Sequence, residues 1–177
     1  MKFSETRLAG VYIVEPEQLA DERGFFARTW CKQEFASHGL NSELVQCSIS
    51  FNNVGGTLRG MHYQQAPYAE DKLVRCTMGA IYDVALDLRK ESPTYKQWVG
   101  VELSSDNRRM LYIPVGVAHG FQTLVDSTEV FYQMSQFYRA GSGAGVRWND
   151  PAFGIEWPDV TARILSERDS LYPDFNG

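Results

Sequence analysis

The chain has 177 residues, of which 44% are hydrophobic and 22% charged, and its formal net charge is -5. This length suits one domain spanning 1–177 with a sizeable buried core, and the acidic balance excludes a broad basic field for nucleic acid or an anionic membrane. Three cysteines (Cys31, Cys47 and Cys76) at irregular spacing exclude a disulfide framework. The opening MKFSETRLAG has no apolar leader core and no run approaches a membrane span, so the cytoplasm is the expected compartment.

Short β-branched and aromatic runs between turn signals predict strands over Val11–Val14, Leu44–Phe51, Thr57–Gln64 and Lys72–Met78. Ile81–Leu88 follows across Gly79-Ala80, which reads as a hairpin. Trp98–Leu103, Met110–Ile113, Phe121–Val125 and Val130–Tyr138 complete the series. One short helix is expected around Lys32–His38. No repeat, linker or sustained helical period is present. Many strands with little helix imply an all-β antiparallel sandwich, jelly roll or barrel.

Only three histidines are present. His38 falls in the surface helix and reads as solvated. His119 closes Pro114-x-Gly-x-x-His119, which resembles half of a cupin motif, with the histidine pointing into a barrel. A metal-binding cupin supplies His-x-His and a Glu in its other half; this chain reads His62-Tyr63-Gln64, with Glu70 further along. Two imidazoles and an amide make a poor ligand set for a divalent metal, so none is expected.

His62 is therefore either a proton-transfer base, which needs an orienting partner, or a hydrogen-bonded core residue. Alternation puts Tyr132, Met134, Gln136 and Tyr138 on one strand face. If that face lines a barrel, two phenols enter one cavity. Arg23 and Arg59 each adjoin a glycine, where a guanidinium can approach phosphate closely. Lys72 opens a strand, the position of a barrel mouth.

The ordered segments DERGFFARTW, LVQCSIS, LRGMHYQ, KLVRC, IYDVALDLR, NRRMLYIPVGVAHGF, EVFYQM, VRWNDPAFGIEWP and LSERD resemble the dTDP-4-dehydrorhamnose 3,5-epimerase family from about residue 5 to residue 170. The resemblance implies a cupin-type jelly roll that forms a homodimer. It also implies cofactor-independent epimerisation of a 4-keto-6-deoxy sugar carried on a nucleoside diphosphate. By the same resemblance His62 is the base, Asp169 its carboxylate partner, Tyr132 the acid and Lys72 the residue at the keto oxygen. Substrate contacts fall at Arg23 (reaching from the neighbouring subunit), Phe26, Arg28, Gln46, Ser48, Arg59, His119, Tyr138 and Arg168.

The chain departs from the family pattern at Arg28, Ser48, Gln133, Gly143 and Arg168, several of them nucleotide-contact positions. The departures leave open a CDP or GDP carrier, a single-centre epimerase or a ketoisomerase. A metal-dependent cupin enzyme and a non-catalytic sugar-binding cupin are the remaining alternatives.

Overall fold

The computed structural model describes all 177 residues. In chain order it forms strands β1 (Lys2–Glu5), β2 (Tyr12–Glu15), β3 (Leu19–Asp21) and β4 (Gly24–Phe26), then helix α1 (Lys32–Ser37). Strands β5 (Gln46–Asn52), β6 (Leu58–Gln64), β7 (Lys72–Met78), β8 (Ala80–Asp87) and β9 (Trp98–Ser104) follow. The last elements are β10 (Met110–Ile113), β11 (Val117–Thr123), β12 (Thr128–Met134), β13 (Gly143–Gly145) and α2 (Glu167–Ser170).

Two antiparallel sheets face each other. One has six strands in the order β1-β2-β10-β7-β12-β5, the other five in the order β13-β6-β11-β8-β9. β3 and β4 form a separate hairpin. This is a jelly roll of the cupin type. Its core fills the space between the sheets: Val74, Cys76 and Val130 from one side pack with Ile81, Leu103 and Phe121 from the other. Burying Phe121 alone contributes roughly 2–3 kcal/mol.

The sheets have outer faces too, and these decide which strands alternate. The segment after β13 lays Val146, Phe153, Trp157 and Phe175 over the outside of the five-stranded sheet. β11 is thereby buried at every residue. α1 inserts Phe35 over Leu73, Met110 and Tyr112 outside the six-stranded sheet. The other end of that outer face stays open, so β5 alternates strictly: Cys47, Ile49 and Phe51 are exposed, and Ser48 and Ser50 turn inward.

Several expectations change. Gly79 does not close a hairpin: β7 and β8 belong to different sheets, and the glycine (φ +77°) carries the chain from one to the other. A Cβ there would lie 2.5 Å from Thr128 Oγ1, so only glycine makes this crossing. β11 begins at Val117 rather than Phe121, and β12 ends at Met134 rather than Tyr138. Gln136 and Tyr138 therefore do not continue the face of Tyr132.

Candidate active site

A cavity of about 420 Å³ opens between the sheets at one end of the barrel. The five-stranded sheet contributes Arg59 and His62 from β6, with His119 and Phe121 from β11; the six-stranded sheet contributes Ser48 and Ser50 from β5, Lys72 from β7, and Tyr132 and Met134 from β12. Glu70, Ser166, Arg168 and Asp169 close the rim. The barrel is thus polar at this end and apolar at its centre.

His62 Nε2 lies 2.6 Å from Asp169 Oδ1, and Asp169 is almost fully buried. Burial alone would raise the carboxyl pKa. The bond from His62, its charge, the Gly60 N–H and Ser166 outweigh it, and the net shift is downward. An ionised carboxylate only accepts, so in the neutral imidazole Nε2 carries the proton and the lone pair is on Nδ1. A bare lone pair is what a base needs.

His119 stands directly opposite His62 in the β6–β11 register. Its Nε2 lies 2.7 Å from Oδ1 of the fully buried Asp83, whose Oδ2 has no partner. Tyr132 meets the His119 ring edge-on at 5.9 Å. Burial, and next the Asp83 charge, hold the Tyr132 phenol well above the ordinary tyrosine range against a smaller opposing effect of Arg59. The phenol therefore keeps its proton. Lys72 Nζ sits 3.2 Å from Glu70 Oε1, both side chains being largely buried. Arg59 Nε donates to Asn52 Oδ1 at 2.8 Å.

Of the residues predicted from sequence, the cavity gathers His62, Asp169, Tyr132, Lys72, Arg59, His119, Ser48 and Arg168. It does not gather Arg23, Phe26, Arg28, Gln46 or Tyr138. Arg23 lies in the turn of the β3–β4 hairpin, exposed and paired with Asp21, and Phe26 at the end of β4 is 72% exposed. Arg28 pairs with Glu34. Gln46 Oε1 accepts the Tyr138 N–H just outside the cavity, and the Tyr138 ring is exposed. The expected pair of phenols is thus one phenol, because the strand ends first.

Two departures explain each other: Arg168 donates to the Gly143 carbonyl and lies 3.3 Å from where a Gly143 Cβ would sit, so the guanidinium fills the room a side chain would take. Gln133 faces away from Tyr132, by alternation along β12.

Sequence reasoning missed Asp83 and Ser166 and weighed Glu70 only as a metal ligand. An aspartate inside the apolar run IYDVALD was a signal, since a charge buried there needs a partner. Ser166-Glu-Arg-Asp169 carries a capping pattern, and Ser166 Oγ does accept the Asp169 N–H. Gln64 is buried; its Nε2 donates to Tyr68 O and Glu70, with Phe137 O a longer shared contact at 3.3 Å, while its Oε1 accepts the Arg139 N–H. Its amide thus ties together the two loops at the rim. No group of three or more His, Cys, Asp or Glu side chains is arranged to hold a metal ion.

A cupin-type jelly roll whose opposing sheets bring a carboxylate-held imidazole and a protonated phenol to one cavity has the groups that proton-transfer chemistry needs. The model of the family described as dTDP-4-dehydrorhamnose 3,5-epimerase matches residues 5–177, and the chain belongs to that family. A dTDP-4-dehydrorhamnose 3,5-epimerase of Sinorhizobium fredii is 43% identical over 98% of this chain and 89% of its own length. The Bacillus anthracis enzyme of that name, solved with TDP and PPi bound, superposes with a TM-score of 0.93 at 44% identity, covering 98% of this chain and 99% of its own. A Legionella pneumophila dTDP-6-deoxy-D-glucose-3,5-epimerase, solved with dTDP-4-keto-L-rhamnose, gives 0.89 at 36% identity, covering 95% and 89%.

Proposed function

We propose that this chain epimerises dTDP-4-dehydro-6-deoxyglucose at C3 and C5, giving dTDP-4-dehydrorhamnose, without a cofactor. The observation that carries the reading is the placement of His62 and Tyr132 on opposing sheets across one cavity. Inverting a carbon needs a base on one face and an acid on the other.

The 4-keto group acidifies the protons on both neighbouring carbons. His62 Nδ1 takes one, Nε2 remaining bonded to Asp169. The electron pair moves through the C–C bond to the keto oxygen, forming an enolate. Lys72, with Arg59, faces the developing oxyanion and lowers the barrier there. Tyr132 then protonates the carbon from the other face. The dTDP carrier rests on the relatives solved with TDP or a dTDP-sugar.

We also read the chain as one domain that works as a homodimer. Arg23 and Phe26 do not reach their own cavity, and the hairpin that carries them projects outward. Ile49 and Phe51 leave an apolar face open on β5. No helix is long and apolar enough to cross a membrane. Three free thiols, one of them exposed, suit a reducing compartment, which supports the cytoplasm.

Incubation with dTDP-4-dehydro-6-deoxyglucose in D2O, followed by NMR, tests the reading. Deuterium is expected at both C3 and C5, and His62→Ala abolishes it. Label at one carbon only makes the chain a single-centre epimerase. No label at either, from folded protein, rejects the dTDP sugar and directs the assay to CDP and GDP analogues.

A further inference from the structure

The residue that orients His62 sits on an element too small to hold itself. α2 has four residues, and a single turn fixes its backbone at a net cost. One support is local: Ser166 Oγ accepts the Asp169 N–H. The other lies beyond the helix, in the segment 171–177. Tyr172 crosses β13 so closely that a Cβ on Gly145 would lie 2.4 Å from its Cζ, and its hydroxyl accepts from Arg168 Nε at 2.9 Å. Further on, the Phe175 N–H donates to Asp150 Oδ2 at 2.6 Å. The Phe175 ring packs on Phe153 at 5.0 Å, and Asp174 pairs with Arg147.

Asp150 lies in the segment VRWNDPAFGIEWP, outside the cavity. It is 2% exposed, and its other oxygen accepts the Ala152 N–H at 2.8 Å. A buried carboxylate whose two oxygens each take a backbone N–H, one from the adjacent turn and one from 25 residues away, is a clasp. Asparagine cannot replace it, because its amide offers one oxygen where two N–H groups need acceptors.

We propose that Asp150 is a positioning residue for proton transfer: by clasping the C-terminal tail it holds α2 in place and so fixes Asp169 against His62. The proposal rests on the reading of His62–Asp169 as the base. Small misplacements of such a pair are costly, because the imidazole must present Nδ1 along the line of the C–H bond.

The test measures kcat and KM for epimerisation, with thermal melts, in Asp150→Asn, in a chain ending at Tyr172, in Asp169→Asn, and in each tail variant combined with Asp169→Asn. The shortened chain loses its last five residues, the Phe175 packing on Phe153 among them, but leaves the strands of both sheets whole, so it is a second route to the same loss beside the point variant. Both tail variants are expected to lower kcat about tenfold to hundredfold with KM within about twofold. In the Asp169→Asn background neither lowers kcat further, which a general loss of structure would not produce. Full kcat in the folded tail variants, or an equal additional loss without Asp169, overturns the proposal while leaving the dyad reading intact. Full kcat in Asp169→Asn overturns the dyad reading and the proposal with it.

Discussion

Asp169 and Asp83 each hold an imidazole by Nε2, yet the two histidines are set up differently. His62 is part-exposed, its side chain retaining 37% of its surface, whereas His119 retains 5% and sits between Asp83 and the Tyr132 ring. Only His62 has both a committed nitrogen and open access to substrate. The proposed acid opposite it, Tyr132, is equally committed. Burial first, then the Asp83 charge, disfavour the Tyr132 phenolate, so the phenol stays protonated past the ordinary tyrosine pKa of about 10. The sign matters: a raised pKa in an acid preserves its proton as pH rises, so Tyr132 imposes no alkaline loss of rate below that pH. Tyr132→Phe removes the returning proton but not the base. Its expected phenotype is split: solvent deuterium still enters through His62 while inverted product falls about 10²–10⁴-fold. NMR in D2O reads both quantities in one experiment. Loss of exchange and inversion together would take Tyr132 out of the acid role.

At the scale of elements, α1 shows how much a short piece depends on what it covers. Six residues do not sustain a helix in water; Phe35, 1% exposed against Leu73, Met110 and Tyr112, docks it. Phe35→Ala is expected to cost about 3–5 kcal/mol by denaturant titration, and the helix signal and Trp30 fluorescence should change with the same midpoint. The same dependence explains what the sequence made legible. β5, β7 and β9 were readable because strand-forming runs lie between clear turn signals. The start of β11 is not legible in the sequence because both faces are covered, which erases the alternation, and Val117-Ala-His-Gly carries no period of two. The sequence carries β12 past its end because Gln136 and Tyr138 keep the alternation after the ladder stops at Met134. The β7–β8 crossing looked like a hairpin because Gly-Ala serves either purpose. The site divides the same way. Alternation along β12 groups Tyr132 with Met134, whereas His62 and Lys72 stand on strands without clean alternation and Asp169 comes from a single turn 107 residues from its partner. No local pattern joins those two; family resemblance supplied the link.

At the scale of the whole molecule, one surface is unlike the rest. Along β5, Ile49 is 62% and Phe51 47% exposed, and beside them Arg75 stacks on Phe131 with a buried Nε that has no partner. A sheet face that is apolar and carries an unsatisfied guanidinium is incomplete as a water-facing surface. The β3–β4 hairpin, with Leu19 and Phe26 at 70% and 72% exposure, is incomplete for the same reason. In the proposed homodimer a second copy of the chain on this face would cover both and would bring the hairpin to a cavity that its own subunit cannot reach. If Arg23 serves the partner's site, the His62 and the Arg23 of each pocket come from different subunits. His62→Ala or Arg23→Ala alone is then weak or dead, but a mixed dimer contains one pocket with an intact His62 and an intact Arg23. Co-refolding equal amounts of the two should restore about a quarter of wild-type activity per subunit, since half the dimers are mixed and each carries one good site of two. The measurement is the epimerisation rate before and after subunit exchange, alongside the sedimentation coefficient. Activity that stays at the average of the two separate variants would place Arg23 outside the partner's pocket.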